Sequence, residues 1–104
     1  MENTWTTKQI DELLEAVLKL QNLEESRNFF RDLLTEEELK EFASRWKVAR
    51  MLEQKVPYTK IVKETGMSST TIARVSKWLN AGMNGYKLLI NRVNSSHHTS
   101  SHAG

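Results

Sequence analysis

The stretch Pro57–Asn80, PYTKIVKETGMSSTTIARVSKWLN, limits what this chain can fold into more than any other. It reads as two short helices joined by a tight turn. The first is expected from about Pro57 to Thr65, with Pro57 at the first helical position, where its missing N–H costs nothing. Gly66 can take the positive φ that ends a helix without a Cβ penalty. Ser68 is a good N-cap for a second helix that continues through Thr70, Ile72, Arg74 and Lys77. Ile61, Val62, Thr65, Met67, Ile72 and Val75 are spaced to face a shared interior. That leaves Thr59, Lys63, Ser69, Thr70, Ala73, Arg74 and Lys77 pointing outward. Small and hydroxylated side chains at the start of an exposed helix can enter a major groove, and flanking Arg and Lys suit phosphates. The pattern is a helix-turn-helix, with Thr59, Lys63, Ser68, Ser69, Thr70, Ala73, Arg74 and Lys77 as its candidate DNA-contacting residues. Two helices around a glycine turn also occur in domains that never touch nucleic acid, so a second observation has to decide.

Charge supplies it. The formal net charge of the 104 residues is only +2, but it is unevenly spread. Residues 1–44 hold five Lys/Arg and eleven Asp/Glu, a net −6, whereas residues 45–104 hold ten against two, a net +8. A basic half that contains the helix-turn-helix is the footprint of a phosphate-binding surface. A merely solvated helical surface would not require this segregation.

A chain of this length forms one small domain. With no cysteine, disulfides and thiolate metal sites are excluded, and a reducing cytoplasm is the simplest compartment. No apolar run approaches the roughly 20 residues that span a bilayer, and the polar start MENTWTTKQ is unlike a secretory signal. No membrane partner is expected.

Upstream, Thr6 or Thr7 is expected to cap a helix running to about Gln21, with Ile10, Leu13, Leu14, Val17, Leu18 and Leu20 as its apolar stripe. Asn22 with Glu25 resembles a capping box opening a second helix over Leu23–Leu33. Thr35 with Glu38 is a sharper one, and Glu36, Glu37 and Glu38 complement the positive end of a third helix that runs to about Gln54. Leu39, Phe42, Ala43, Trp46 and Ala49 line one face of it, and Val48, Met51 and Leu52 broaden that face. Gly82 and Gly85 mark a loop before a short final helix, Tyr86–Val93. The Ser- and His-rich residues 94–104 are expected to be a disordered tail. The fold class is all-α with about six helices. Residues 1–56 are read as the dimer core and 57–80 as the DNA-binding unit, with 81–93 completing the same domain.

The dimer follows from an excess of apolar surface. A small domain buries a poor fraction of its surface alone, and the N-terminal helices carry wider apolar faces than a thin helix-turn-helix can cover. A two-fold homodimer covers the surplus. It also supplies two recognition helices for adjacent major grooves, spaced about 34 Å apart.

From Leu33 onward the sequence resembles the tryptophan repressor family, in its TrpR-related YerC/YecD branch. The resemblance runs over Asn28–Val93 and is most specific in DLLTEEEL (Asp32–Leu39), Arg45 and ETGMSSTTIARVS (Glu64–Ser76). It implies an intertwined homodimer and a repressor that reads operator DNA. It also implies an effector pocket built from Leu34, Thr35, Arg45, Thr71 and Arg74. Two positions depart from the family there. A glycine is replaced by Val75, whose side chain would intrude where an indole lies flat, and a small serine is replaced by Trp78. L-tryptophan is therefore not expected as a corepressor, and no other cofactor is implied. Trp78 either fills the pocket itself, holding the reading helices in place, or packs in the core. At the DNA, Thr59 and Val62 stand where the family has basic residues, so the operator sequence is expected to differ.

No enzyme is expected. There is no Gly-rich phosphate loop, no cysteine nucleophile and no histidine before His97. The carboxylates Glu36–Glu38 are explained by a helix start. His97, His98 and His102 lack acidic or thiol co-ligands, so no metal site is expected. Two other functions compete: a protein-interaction module whose helix-turn-helix is structural, and the DNA-binding piece of a recombination or transposition system, which would expect a linked catalytic domain.

Overall fold

The computed structural model describes residues 5–103, with side chains from Trp5 to Ser95. Among these residues there are six helices and no strand, as the sequence predicts: α1 Lys8–Val17, α2 Leu23–Leu33, α3 Glu36–Glu53, α4 Tyr58–Thr65, α5 Ser69–Ala81 and α6 Gly85–Ala103. Among the described residues no helix is long and apolar enough to cross a membrane. The chain forms two compact units, Met1–Leu39 and Lys40–Gly104, with the boundary inside α3.

In the first unit the helix starts follow capping chemistry. The Thr7 hydroxyl accepts from the Ile10 N–H at 3.1 Å. Asn22 Oδ1 accepts from the Glu25 N–H at 2.9 Å, while Glu25 reaches back one residue further than the usual box, to the Gln21 N–H at 3.0 Å. At α3 both arms of the box form between Thr35 and Glu38, at 2.9 and 3.1 Å. Arg31 ties the end of α2 to the start of α3 by donating to the Leu34 carbonyl and pairing with Glu36 at 3.3 Å. The first helix ends at Val17 rather than near Gln21. Beyond it the N–H groups of Lys19 and Leu20 turn back to carbonyls three residues earlier, a tightened last turn, and Leu18 is left 81 % exposed. Phe29 and Phe30 meet edge to face, with ring centroids 5.4 Å apart. No residue of α1 or α2 is buried.

The second unit holds the core. Val48, Ala49 and Met51 of α3 are buried with Ile61 of α4, Ile72, Val75 and Leu79 of α5, and Ile90 of α6. Trp46, Leu52, Val56, Val62, Met67 and Tyr86 pack around them. Among the described residues no polar side chain is buried in this core. The end of α3 is closed by Lys55 at φ 66°, with Val56 N–H donating to the Met51 carbonyl and Lys55 N–H to that of Leu52. This is a Schellman motif built without glycine.

Three boundaries differ from expectation. Pro57 is the N-cap of α4 and not its first helical residue: its ψ of 149° is extended, and its carbonyl already accepts from the Ile61 N–H. Gly85 is the first residue of α6, so of the two expected loop glycines only Gly82 stays outside a helix. Finally, α6 does not stop at Val93 but continues through Asn94 and Ser95 to Ala103 in place of the expected tail. No glycine or proline interrupts residues 86–103, and Ser, Thr, Asn and His are mediocre helix formers without being breakers. The side chains of His97, His98 and His102 lie outside the described residues.

Candidate nucleic-acid interface

Geometry at the turn begins with Gly66, which has φ 73° in the left-handed region, as its place at the end of α4 requires. Its N–H donates to the Val62 carbonyl at 2.9 Å. Thr65 then ties helix to turn: its hydroxyl donates to the Ile61 carbonyl at 2.7 Å and accepts from the Met67 N–H at 3.2 Å. Ser68 caps α5 by accepting from the Thr71 N–H at 3.1 Å, and the two hydroxyls are also bonded to each other at 3.1 Å. Every polar group of the turn named here is thus engaged, and the start of α5 is set rigidly against α4.

Ile61, Ile72 and Val75 are fully buried, and Leu79 nearly so. At about 100° per residue, the buried Ile72, Val75 and Leu79 occupy one narrow arc of α5, and Thr70, Ala73, Arg74 and Lys77 occupy an arc on the opposite side, with Ser69 on its flank. All eight candidate contact residues, Thr59, Lys63, Ser68, Ser69, Thr70, Ala73, Arg74 and Lys77, are exposed. Among the described residues no carboxylate pairs with Lys63, Arg74 or Lys77. Thr59 and Lys63 line one shallow groove with Lys60 and Glu64, the latter two paired at 3.8 Å. A neighbouring groove of about 560 Å³ carries Lys47, Arg50 and Lys60 beside Trp46 and Met51. Of these three cations Lys60 belongs to α4 of the helix-turn-helix, whereas Lys47 and Arg50 come from α3, outside that pattern. Only the fold brings them to one groove.

The candidate effector residues are divided between the two units. Leu34 and Thr35 belong to the first unit, where the Thr35 hydroxyl is committed to capping α3. In the second unit Val75 lies in the core and Thr71 is half-buried beneath its bond to Ser68. Arg45 pairs with Glu41 at 3.2 Å, its guanidinium stands 5.7 Å from the Phe42 ring centroid, and its Nε is buried with no hydrogen-bond partner. Trp78 is not a core residue: Leu79 takes the buried position beside it, and Trp78 is 45 % exposed. It lines an apolar groove of about 520 Å³ with Trp46, Gly82, Met83, Gly85, Tyr86 and Leu89, none of which is among the candidate effector residues. Trp46 and Tyr86 stack across it with centroids 6.4 Å apart. Burial raises the Tyr86 pKa, and the nearby Arg45 charge works against that rise. Sequence reading missed this groove because its aromatics come from three helices. Among the described residues no group of His, Asp or Glu is arranged to hold a metal ion.

Comparison with known proteins agrees with this architecture. The profile of the Trp repressor protein family matches residues 8–94. The YerC protein of Bacillus subtilis (strain 168), itself uncharacterised, is 44 % identical over 86 residues, which cover 83 % of either chain. The crystal structure of a TrpR-like protein from Eubacterium eligens ATCC 27750 superposes with a TM-score of 0.84 at 35 % identity, covering 89 % of this chain and 96 % of that one. A candidate Trp repressor from Staphylococcus aureus gives 0.81 at 38 % identity, covering 86 % and 89 %. Six helices with a glycine-turned helix-turn-helix, a family match over most of the length and two close structural relatives lead to one assignment: the chain belongs to the Trp repressor family, in its YerC-related branch.

Proposed function

We propose that this protein is a sequence-specific DNA-binding transcriptional regulator, a repressor, that grips operator DNA as a homodimer through its helix-turn-helix. One observation carries the reading. Over its first two and a half turns, the face of α5 turned away from the core holds Ser69, Thr70, Ala73, Arg74 and Lys77, all small, hydroxylated or cationic and every one exposed. Its cations lie in the half of the chain with a net charge of +8. Such a face fits a major groove, with Arg74 and Lys77 on the flanking phosphates. The family assignment supports the same class of function. The departures at Val75 and Trp78 favour a protein that does not respond to L-tryptophan.

Selection of bound sequences from a random double-stranded DNA pool, run with and without L-tryptophan, tests the reading. A palindromic motif enriched equally in both is the expected result. Enrichment only with tryptophan would overturn the argument from Val75 and Trp78. No enrichment in either arm would reject the DNA-binding reading in favour of a protein-interaction module.

A further inference from the structure

The reading face of α5 is unusual in what it lacks. Major-groove discrimination usually draws on long polar side chains: Arg or Lys for guanine, Asn or Gln for adenine, Asp or Glu for cytosine. At the N-terminal end of α5 the outward positions Ser69, Thr70 and Ala73 are of none of those types, and the outward cations Arg74 and Lys77 follow them further along the helix. What the first three present instead is two methyl groups and two short hydroxyls. Thr70 and Ala73 are three residues apart and so lie side by side on one helical face. Both are exposed, and neither side chain is engaged in a hydrogen bond among the described residues, whereas the neighbouring Ser68 and Thr71 hydroxyls are bonded to each other. Arg74 stands one turn beyond Thr70 and about 40° round the helix from it, further from the helix N-terminus, and we assign it to a phosphate, with the base-edge alternative tested below.

We infer that Thr70 and Ala73 are specificity-determining residues that read thymine through its 5-methyl group, making this a reader of T·A pairs by apolar contact. The inference rests on the DNA-binding reading above and specifies its ligand chemistry. The thymine methyl is the one apolar feature of a base edge in the major groove. It matches two small methyl-bearing side chains whose short reach forces the α5 backbone close to the bases. Ser69, with a hydroxyl that can donate or accept, carries no such preference.

The test uses the full chain and a duplex enriched from the random pool. Thymines in one half-site are replaced singly by deoxyuridine, which removes only the methyl. At one or two positions the wild type should bind about fourfold more weakly, the effect of one buried methyl. Thr70→Ser keeps the hydroxyl and removes the methyl, so the deoxyuridine penalty should vanish at the thymine that Thr70 reads. Ala73→Gly should abolish it at the other, with helical content checked by circular dichroism. Equal wild-type affinity for thymine and uracil at every position would overturn the inference while leaving DNA binding intact. So would an enriched motif whose discrimination is lost on 7-deazaguanine substitution and in Arg74→Ala. Failure to bind any duplex rejects the DNA-binding reading itself, and this one with it.

Discussion

Arg74 and Tyr86 show how two side chains on neighbouring helices are set to different tasks. Arg74 is exposed with no carboxylate partner among the described residues, so its charge is available to a phosphate. Arg74→Ala is expected to weaken binding to all duplexes to a similar degree and to lower the slope of log affinity against log salt by about 1 per subunit. Filter binding at four salt concentrations would measure it, and an unchanged slope would remove Arg74 from the phosphate contacts. Tyr86 sits half-buried against Trp46, and its phenol is held above its usual value of about 10 by desolvation, opposed by Arg45. A raised folded-state pKa means the unfolded chain ionises first. Stability linked to Tyr86 is therefore fully present below about pH 10 and is lost as pH rises through the folded pKa. Tyr86→Phe should flatten that alkaline loss in urea titrations at pH 9 to 11. An identical decline in both proteins would show that Tyr86 does not contribute.

At the scale of elements, two glycines next to α5 serve different purposes. Gly66 has φ 73°, but a Cβ there would meet nothing within 4 Å. Gly82 has an ordinary negative φ, yet a Cβ would lie 2.4 Å from the Trp78 carbonyl oxygen, which is backbone and cannot swing aside. Gly66→Ala should cost about 1 kcal/mol, the left-handed penalty alone. Gly82→Ala must displace the end of α5 and should cost more, about 2–3 kcal/mol. Equal midpoints in urea would refute that order. The elements themselves were legible where side chains cap backbone: Thr7, Asn22, Thr35 and Ser68 start their helices where the sequence places them. Ends were harder to read. The close of α1 at Val17 and the left-handed Lys55 depend on backbone geometry that no residue type announces. The run of α6 past Val93 reflects an absence of breakers, which is a weaker signal than a cap.

At the scale of the whole molecule the apolar surface is out of proportion to the core. Leu14, Leu23, Leu33, Phe42 and Trp78 are all exposed, and neither N-terminal helix buries a residue. Monomeric proteins seldom expose large contiguous apolar surface, which supports the proposed homodimer. Sedimentation equilibrium at micromolar concentration should give twice the 12.1 kDa chain mass, and Leu14→Glu should shift the protein toward monomer and reduce its affinity for palindromic DNA. A wild-type monomer over the same range would sink the proposal. The sequence already pointed to this excess, through the leucines of α1 and the paired phenylalanines of α2. It could not bring Lys47, Arg50 and Lys60 together, because they share a groove only once α3 and α4 are folded.

The outward face of α5 is nearly independent of the fold beneath it. Ser69, Thr70 and Ala73 are exposed, and no hydrogen bond engages their side chains among the described residues. Substitutions at such positions shift stability by only about 0.5 kcal/mol. The helix can therefore exchange these three residues while Ile72, Val75 and Leu79 keep it anchored. On the proposed function, a lineage carrying this scaffold can move to a new operator through a few steps that leave stability nearly unchanged, and a laboratory library randomised at those three positions should remain largely folded while its members diverge in the sequences they prefer.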